Sequence, residues 1–72
     1  MDAAKVITRY LTQACVTQAD FASQLEVTPG LVSQWLSGKT AITAERAIQI
    51  EEVTDGEITR AMLRPDLFGR AA

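Results

Sequence analysis

Apolar residues recur every three or four positions along most of the chain, and that spacing places them on one side of a helix. Between residues 2 and 14 they are Ala3, Val6, Ile7, Tyr10, Leu11 and Ala14, and a first helix is predicted there. No stretch alternates apolar and polar residues as a half-buried strand does. The pattern therefore predicts an all-α fold.

Threonines mark the starts of the later helices, because a threonine hydroxyl can accept a hydrogen bond from an unpaired N–H in the first turn. They are Thr17, Thr28, Thr43 and Thr59. Helix ends are predicted at Gly38, at the Asp55-Gly56 pair and before Pro65. The sequence thus predicts one domain over residues 1–72, a compact bundle of about five short helices with residues 65–72 as a tail.

The second and third predicted helices are joined by a tight turn. Ala22 is small where the two helices cross closely, and Val32 and Trp35 hold their angle from the core side. The outward residues of the third helix are all uncharged: Thr28, Pro29, Gly30, Ser33, Gln34 and Ser37. A solvated bundle helix usually carries charges on this side, so the pattern favours a contact surface over a plain αα-hairpin.

Composition narrows the functional classes further. A chain of 72 residues buries one small core, which favours a binding surface over the substrate pocket of an enzyme. The chain has a single cysteine, Cys15, and no histidine. A disulfide within the chain, a zinc site and other cofactors are therefore not expected. Cys15 is interpreted as a packing residue. Neither a signal peptide nor a membrane span is expected, and the cytoplasm is the expected location.

Charge is unevenly distributed along this acidic chain, whose net charge is −2. Acidic residues crowd the fourth helix and the turn after it, at Glu45, Glu51, Glu52, Asp55 and Glu57. A solvated acidic surface is favoured there over a metal site or a catalytic pair. Between residues 27 and 44 only Lys39 is ionised. Arg60 and Arg64 suit either phosphate contacts or pairing with neighbouring acids, and the sequence leaves both open.

Two segments resemble known DNA-binding proteins. Gln18, Ala22, Val27, Val32, Ser33, Trp35 and the "SGK" at residues 37–39 resemble the helix-turn-helix of the phage repressor and Cro family, whose fold is lambda-repressor-like. Residues 42–68 are similar to YdaS-like prophage regulators, Cro-type proteins sometimes described as antitoxins. Two positions depart from the family pattern: Glu26 stands where a turn glycine is common, and Pro29 where a hydrogen-bonding residue is common.

The resemblance implies a sequence-specific DNA-binding transcriptional regulator, a Cro-type prophage repressor that binds a palindromic operator in double-stranded DNA as a homodimer. It implies contacts to base edges by Thr28, Gly30, Ser33, Gln34 and Ser37. It implies contacts to the DNA backbone by Gln18, Lys39 and Thr40. Gln34 is the first candidate for base reading, because a glutamine amide can pair with both edge groups of adenine.

A rival interpretation is an antitoxin or protein-interaction module that binds a partner protein through the fourth helix and the tail. Leu67 and Phe68 in the tail are large apolar residues. They are expected either to fold back onto the core or to line a two-fold contact together with Met62 and Leu63.

Overall fold

The computed structural model describes residues 3–69, and these residues form six helices. The helices are α1 (Ala3–Ala14), α2 (Gln18–Leu25), α3 (Pro29–Ser37), α4 (Ala44–Val53), α5 (Arg60–Leu63) and α6 (Pro65–Phe68). The predicted all-α fold is confirmed. Residue 2, the predicted start of the first helix, and residues 70–72 of the predicted tail lie outside the described residues.

The predicted threonine caps are present at the starts of four helices. Thr17, Thr28, Thr43 and Thr59 each accept a hydrogen bond from the backbone N–H three residues later, at 3.0–3.2 Å. Each cap satisfies one of the N–H groups that a helix start leaves without an intrahelical partner. The starts of α2, α3, α4 and α5 are therefore set by local chemistry.

The first four helices also share one way of ending. A residue with positive φ follows each helix and donates its N–H three residues back, while the next residue donates five residues back. These residues are Cys15, Glu26, Gly38 and Asp55. The helix end predicted at Gly38 is confirmed, and Glu26, which stands where a turn glycine is common, has the left-handed conformation. The interpretation of Cys15 as a packing residue is wrong, because it lies exposed in one of these turns.

The predicted tail contains a sixth helix that the sequence analysis missed. Pro65 ends α5 and also begins α6, since its fixed φ suits the first helical position and no N–H is needed there. The Gly69 N–H then donates to the Pro65 carbonyl at 2.9 Å. The sequence analysis interpreted Pro65 only as the end of α5, and α6 was therefore not predicted.

The core lies where α1, α2 and α3 meet and extends toward α4 and α5. Its largest fully buried side chains are Phe21, Ile7, Leu25, Ile50, Ile58 and Val32. Ala22 is also fully buried, as predicted, whereas Ala14 at the end of α1 is exposed. None of the helices formed by residues 3–69 is both long and apolar enough to cross a bilayer.

Candidate nucleic-acid interface

One side of α3 is buried and the opposite side is exposed and uncharged. Val32 and Trp35 are buried in the core, which confirms the prediction that Trp35 is a core residue. The exposed side carries Gly30, Ser33, Gln34 and Ser37, with Thr28 at the helix start. Their spacing of three and four residues puts them on one side of the helix. We call these five residues the polar face of α3.

The start of α3 leaves its backbone open to a partner. The Thr28 hydroxyl accepts from the Leu31 N–H at 3.2 Å. A Cβ placed on Gly30 meets nothing closer than the Thr28 Oγ1 at 3.8 Å, so internal packing does not require glycine there. Because Gly30 has no side chain, a ligand can approach the backbone at this point of the polar face.

Gln34 is the most connected residue of the polar face. Its side-chain Oε1 accepts a hydrogen bond from the Thr40 hydroxyl at 3.0 Å. Its backbone carbonyl accepts from the Ser37 hydroxyl at 3.2 Å and from the Lys39 N–H at 3.0 Å. The structure thus joins residues that sequence analysis assigned to different DNA contacts, and it leaves the Nε2 donors of Gln34 available to a partner.

Side chains of α4 support the turn between α2 and α3. Glu26 occupies the left-handed turn position with φ 59° and ψ 39°. The Gln49 amide donates to the Leu25 carbonyl at 2.9 Å, and the Arg46 guanidinium donates to the Gln49 Oε1 at 2.6 Å. These contacts fix the end of α2 beside α3. Sequence analysis missed Gln49, since no local pattern shows which polar residue reaches a carbonyl 24 positions away.

Arg60 and Arg64 both pair with acids. The Arg60 Nε donates to Glu51 at 2.7 Å, and this hydrogen bond is the main reason that the Glu51 pKa lies below its ordinary value of 4.5. Arg64 binds both carboxylate oxygens of Asp66 at 2.7 and 3.0 Å, which lowers the Asp66 pKa and raises that of Arg64. The question that the sequence left open is therefore answered in favour of pairing.

The remaining predicted DNA contacts are exposed but lie apart from the polar face in the chain. Gln18 is the first residue of α2, and it lines the same shallow hollow as Leu36, on the partly buried side of α3. Lys39 follows the Gly38 turn and is exposed. Gln18 thus lies near the end of α3, and Lys39 follows that end in the chain.

The described part of the chain holds no cluster of side chains that could bind a metal ion. No three His, Cys, Asp or Glu side chains among residues 3–69 come together as a metal site requires. An open groove of about 490 Å³ lies between α1, α3 and α5, and its one ionisable lining residue among those described is Arg64. The Arg64 guanidinium in turn pairs with Asp66.

Comparisons with known proteins place the chain in a family. The profile of the family described as "Bacterial toxin YdaS" matches residues 9–72. A protein of Escherichia coli strain K12, named "Putative transcriptional regulator YdaS", is 41% identical over 58 residues. The alignment covers 76% of this chain and 59% of the relative, so the chain spans less than two thirds of that protein's length. No solved structure matches the chain significantly.

Proposed function

The chain belongs to the YdaS family, and from that membership and the surface of α3 we propose that it is a transcriptional regulator that binds double-stranded DNA in a sequence-specific manner. Residues 1–72 act as one DNA-binding domain in the cytoplasm. Its role is binding and not catalysis, and it needs no cofactor. The name of the E. coli relative supports regulation of transcription, while the surface chemistry supports the DNA contact.

The polar face of α3 is the observation that carries this proposal. The whole chain has a net charge of −2, yet residues 27–44 contain no acidic side chain. A carboxylate on a surface that enters a groove would be repelled by the phosphates, whereas Ser, Thr, Gln and Gly can approach base edges closely. The exposed side of α3, which carries no carboxylate, can therefore approach base edges although the protein as a whole is acidic.

Each residue of the site has a distinct proposed role. Thr28, Gly30, Ser33, Gln34 and Ser37 approach base edges in the major groove. Gln18 and Lys39 contact the DNA backbone, and the Lys39 ammonium supplies the ionic attraction. With so little positive charge at the interface, binding to unrelated DNA is weak, and specific affinity depends on the base contacts.

We further propose that the regulator represses a promoter as a homodimer on a palindromic operator. A nine-residue helix reads only a few base pairs, and such proteins gain specificity by placing two copies on half-sites roughly 34 Å apart. The Cα atoms span 34 × 24 × 20 Å, so two copies fit side by side at that separation. Leu67, which is 53% exposed, is an apolar group available for the two-fold contact.

Selection of bound fragments from random duplex DNA tests the proposal. The wild-type chain is expected to enrich one palindromic sequence, and its affinity for that duplex falls as the salt concentration rises because counterions are released. Enrichment of no sequence would contradict the DNA-binding proposal.

Two substitutions then separate base reading from ionic attraction. Gln34→Ala should weaken the selected duplex by about 1–3 kcal/mol and relax one base position. Lys39→Ala should weaken all duplexes alike and reduce the salt slope by about one. Gln13→Ala, which removes an exposed glutamine from α1, is the matched control and should leave binding unchanged. Identical sequence profiles for the Gln34 and Lys39 variants would refute this division of roles.

A protein partner is the second candidate function. Met62 and Leu67 are exposed large apolar residues on α5 and α6, α4 is acidic, and the family description names a toxin. Phe68 is instead half-buried against the core with the Arg60 guanidinium 5.7 Å from its ring centroid. Leu67→Ser should therefore disrupt a dimer or a partner complex in sedimentation without unfolding the chain. Unchanged assembly would exclude this surface from both roles.

A further inference from the structure

We propose that Thr40 positions Gln34 for base reading and is not a side-chain contact to phosphate. This inference rests on the proposed DNA-binding function and names a specificity-determining residue outside α3. The observation is the 3.0 Å hydrogen bond that the Thr40 hydroxyl donates to the Gln34 Oε1. Both residues are exposed, so the bond lies on the surface that the DNA would meet.

A hydroxyl has one hydrogen to donate, and phosphate oxygens only accept. With its hydrogen directed to Gln34, the Thr40 side chain has none for a phosphate. Contact with phosphate would break the Thr40–Gln34 bond, whereas contact of Gln34 with a base through Nε2 would leave it intact. The geometry therefore favours Gln34 as the ligand-binding member of the pair and Thr40 as its support.

The bond also restricts the rotation of the amide. Thr40 occupies one of the two lone pairs of Oε1, whereas Nε2 keeps both of its donor hydrogens. Donors pair with the N7 of purines and the O6 of guanine in the major groove. We therefore expect Gln34 to favour a base with an acceptor edge. Without this support the amide can rotate, and the preference for that edge weakens.

The segment that carries Thr40 is itself anchored. The Lys39 N–H donates to the Gln34 carbonyl at 3.0 Å, next to the left-handed Gly38. Further along, the Arg64 Nη1 donates to the Ile42 carbonyl at 2.7 Å. Thr40 thus lies between Lys39 and Ile42, whose backbones are both held by hydrogen bonds. Its hydroxyl binds Gln34, the residue that also accepts from the Lys39 N–H. A support of this kind restricts the rotamers of Gln34 before DNA arrives.

The test compares Thr40→Val with Thr40→Ser on the complete protein. Valine keeps the shape of threonine and removes the hydroxyl, whereas serine keeps the hydroxyl. Both variants, Gln34→Ala and the double variant Gln34→Ala/Thr40→Val are titrated against every single-base substitution of the duplex selected by the wild type. Circular dichroism verifies that each variant is folded.

If Thr40 positions Gln34, Thr40→Val changes preference at the base position that Gln34→Ala relaxes, by about fivefold or more, and Thr40→Ser retains the wild-type preference. The double variant then behaves like Gln34→Ala alone, because the two residues act as one unit. Equal weakening of all duplexes by Thr40→Val, additive with Gln34→Ala, would show a phosphate contact and overturn the inference. No effect of Thr40→Val would also overturn it. Failure of the wild type to select any sequence would instead overturn the proposed function, and this inference with it.

Discussion

Replacing Glu26 by glycine should stabilise the protein, because Glu26 is a non-glycine residue with φ 59° in the turn between α2 and α3. A Cβ in the left-handed conformation costs about 1–2 kcal/mol. Glycine removes that cost but gives up about 0.5–1 kcal/mol through the greater freedom of the unfolded chain. The side chain is exposed, so little packing is lost. The net gain in unfolding free energy is therefore between zero and about 1.5 kcal/mol.

Thermal unfolding followed by circular dichroism measures this gain. For a chain of this size, 1 kcal/mol corresponds to a rise in Tm of roughly 4–8 °C. Glu26→Gln is the matched control, because it removes the charge beside the negative end of α2 and keeps the Cβ. If Glu26→Gln accounts for the whole gain, the effect is electrostatic and not conformational. A lower Tm for Glu26→Gly would refute the reasoning, since it would mean that the turn depends on the glutamate side chain.

Three further predictions concern stability, pH and the polar face. Thr54→Val should lower the unfolding free energy by about 1–3 kcal/mol in urea, because the buried Thr54 hydroxyl accepts from the Ile58 N–H at 3.1 Å and valine leaves that donor unpaired; an unchanged midpoint would contradict this. Because the pKa of Glu51 is lowered, its pairing with Arg60 stabilises the fold at pH values above 4.5, the ordinary pKa of glutamate, and this contribution is lost as the pH falls through the folded-state pKa. Glu51→Gln should therefore reduce the fall of Tm on acidification. An unaltered dependence of Tm on pH would exclude the pair as the cause of that fall. Gly30→Ala should leave Tm unchanged or slightly higher, since space is available at Gly30, while weakening the selected duplex; unchanged DNA affinity would remove Gly30 from the interface.

The sequence predicts the elements whose signals are local. Threonine caps act within three residues, which is why the starts of α2 to α5 are predicted correctly. The resemblance to the helix-turn-helix family marks Glu26 as a position where a turn glycine is common, and the structure gives it the left-handed conformation. The short helix α6 is not predicted, because proline ends one helix and begins another equally well, and only the following backbone geometry distinguishes the two cases.

The candidate site likewise has features that local sequence predicts and features that depend on the tertiary structure. The polar face of α3 follows from helical spacing, so its exposure is predicted from residues 28–37 alone. The bond between Thr40 and Gln34 depends on the path of the chain after Gly38, and the support of α2 by Gln49 depends on how α4 packs. The pairing of Arg60 with Glu51 depends on how α5 packs against α4. Such contacts require the tertiary arrangement, because each residue has several partners of suitable chemistry in the sequence.

The most direct test of the central claim is to map the DNA contact on the complete ¹⁵N-labelled protein by nuclear magnetic resonance. The duplex selected by the wild type is titrated into the protein, and a scrambled duplex of equal length is the control. We expect the selected duplex to shift the amide signals of residues 28–40, including the side-chain amide of Gln34, and to leave Glu45 and Glu52 of α4 unchanged. Shifts confined to α4, α5 and α6, or equal shifts with both duplexes, would contradict the claim that the polar face of α3 reads DNA sequence.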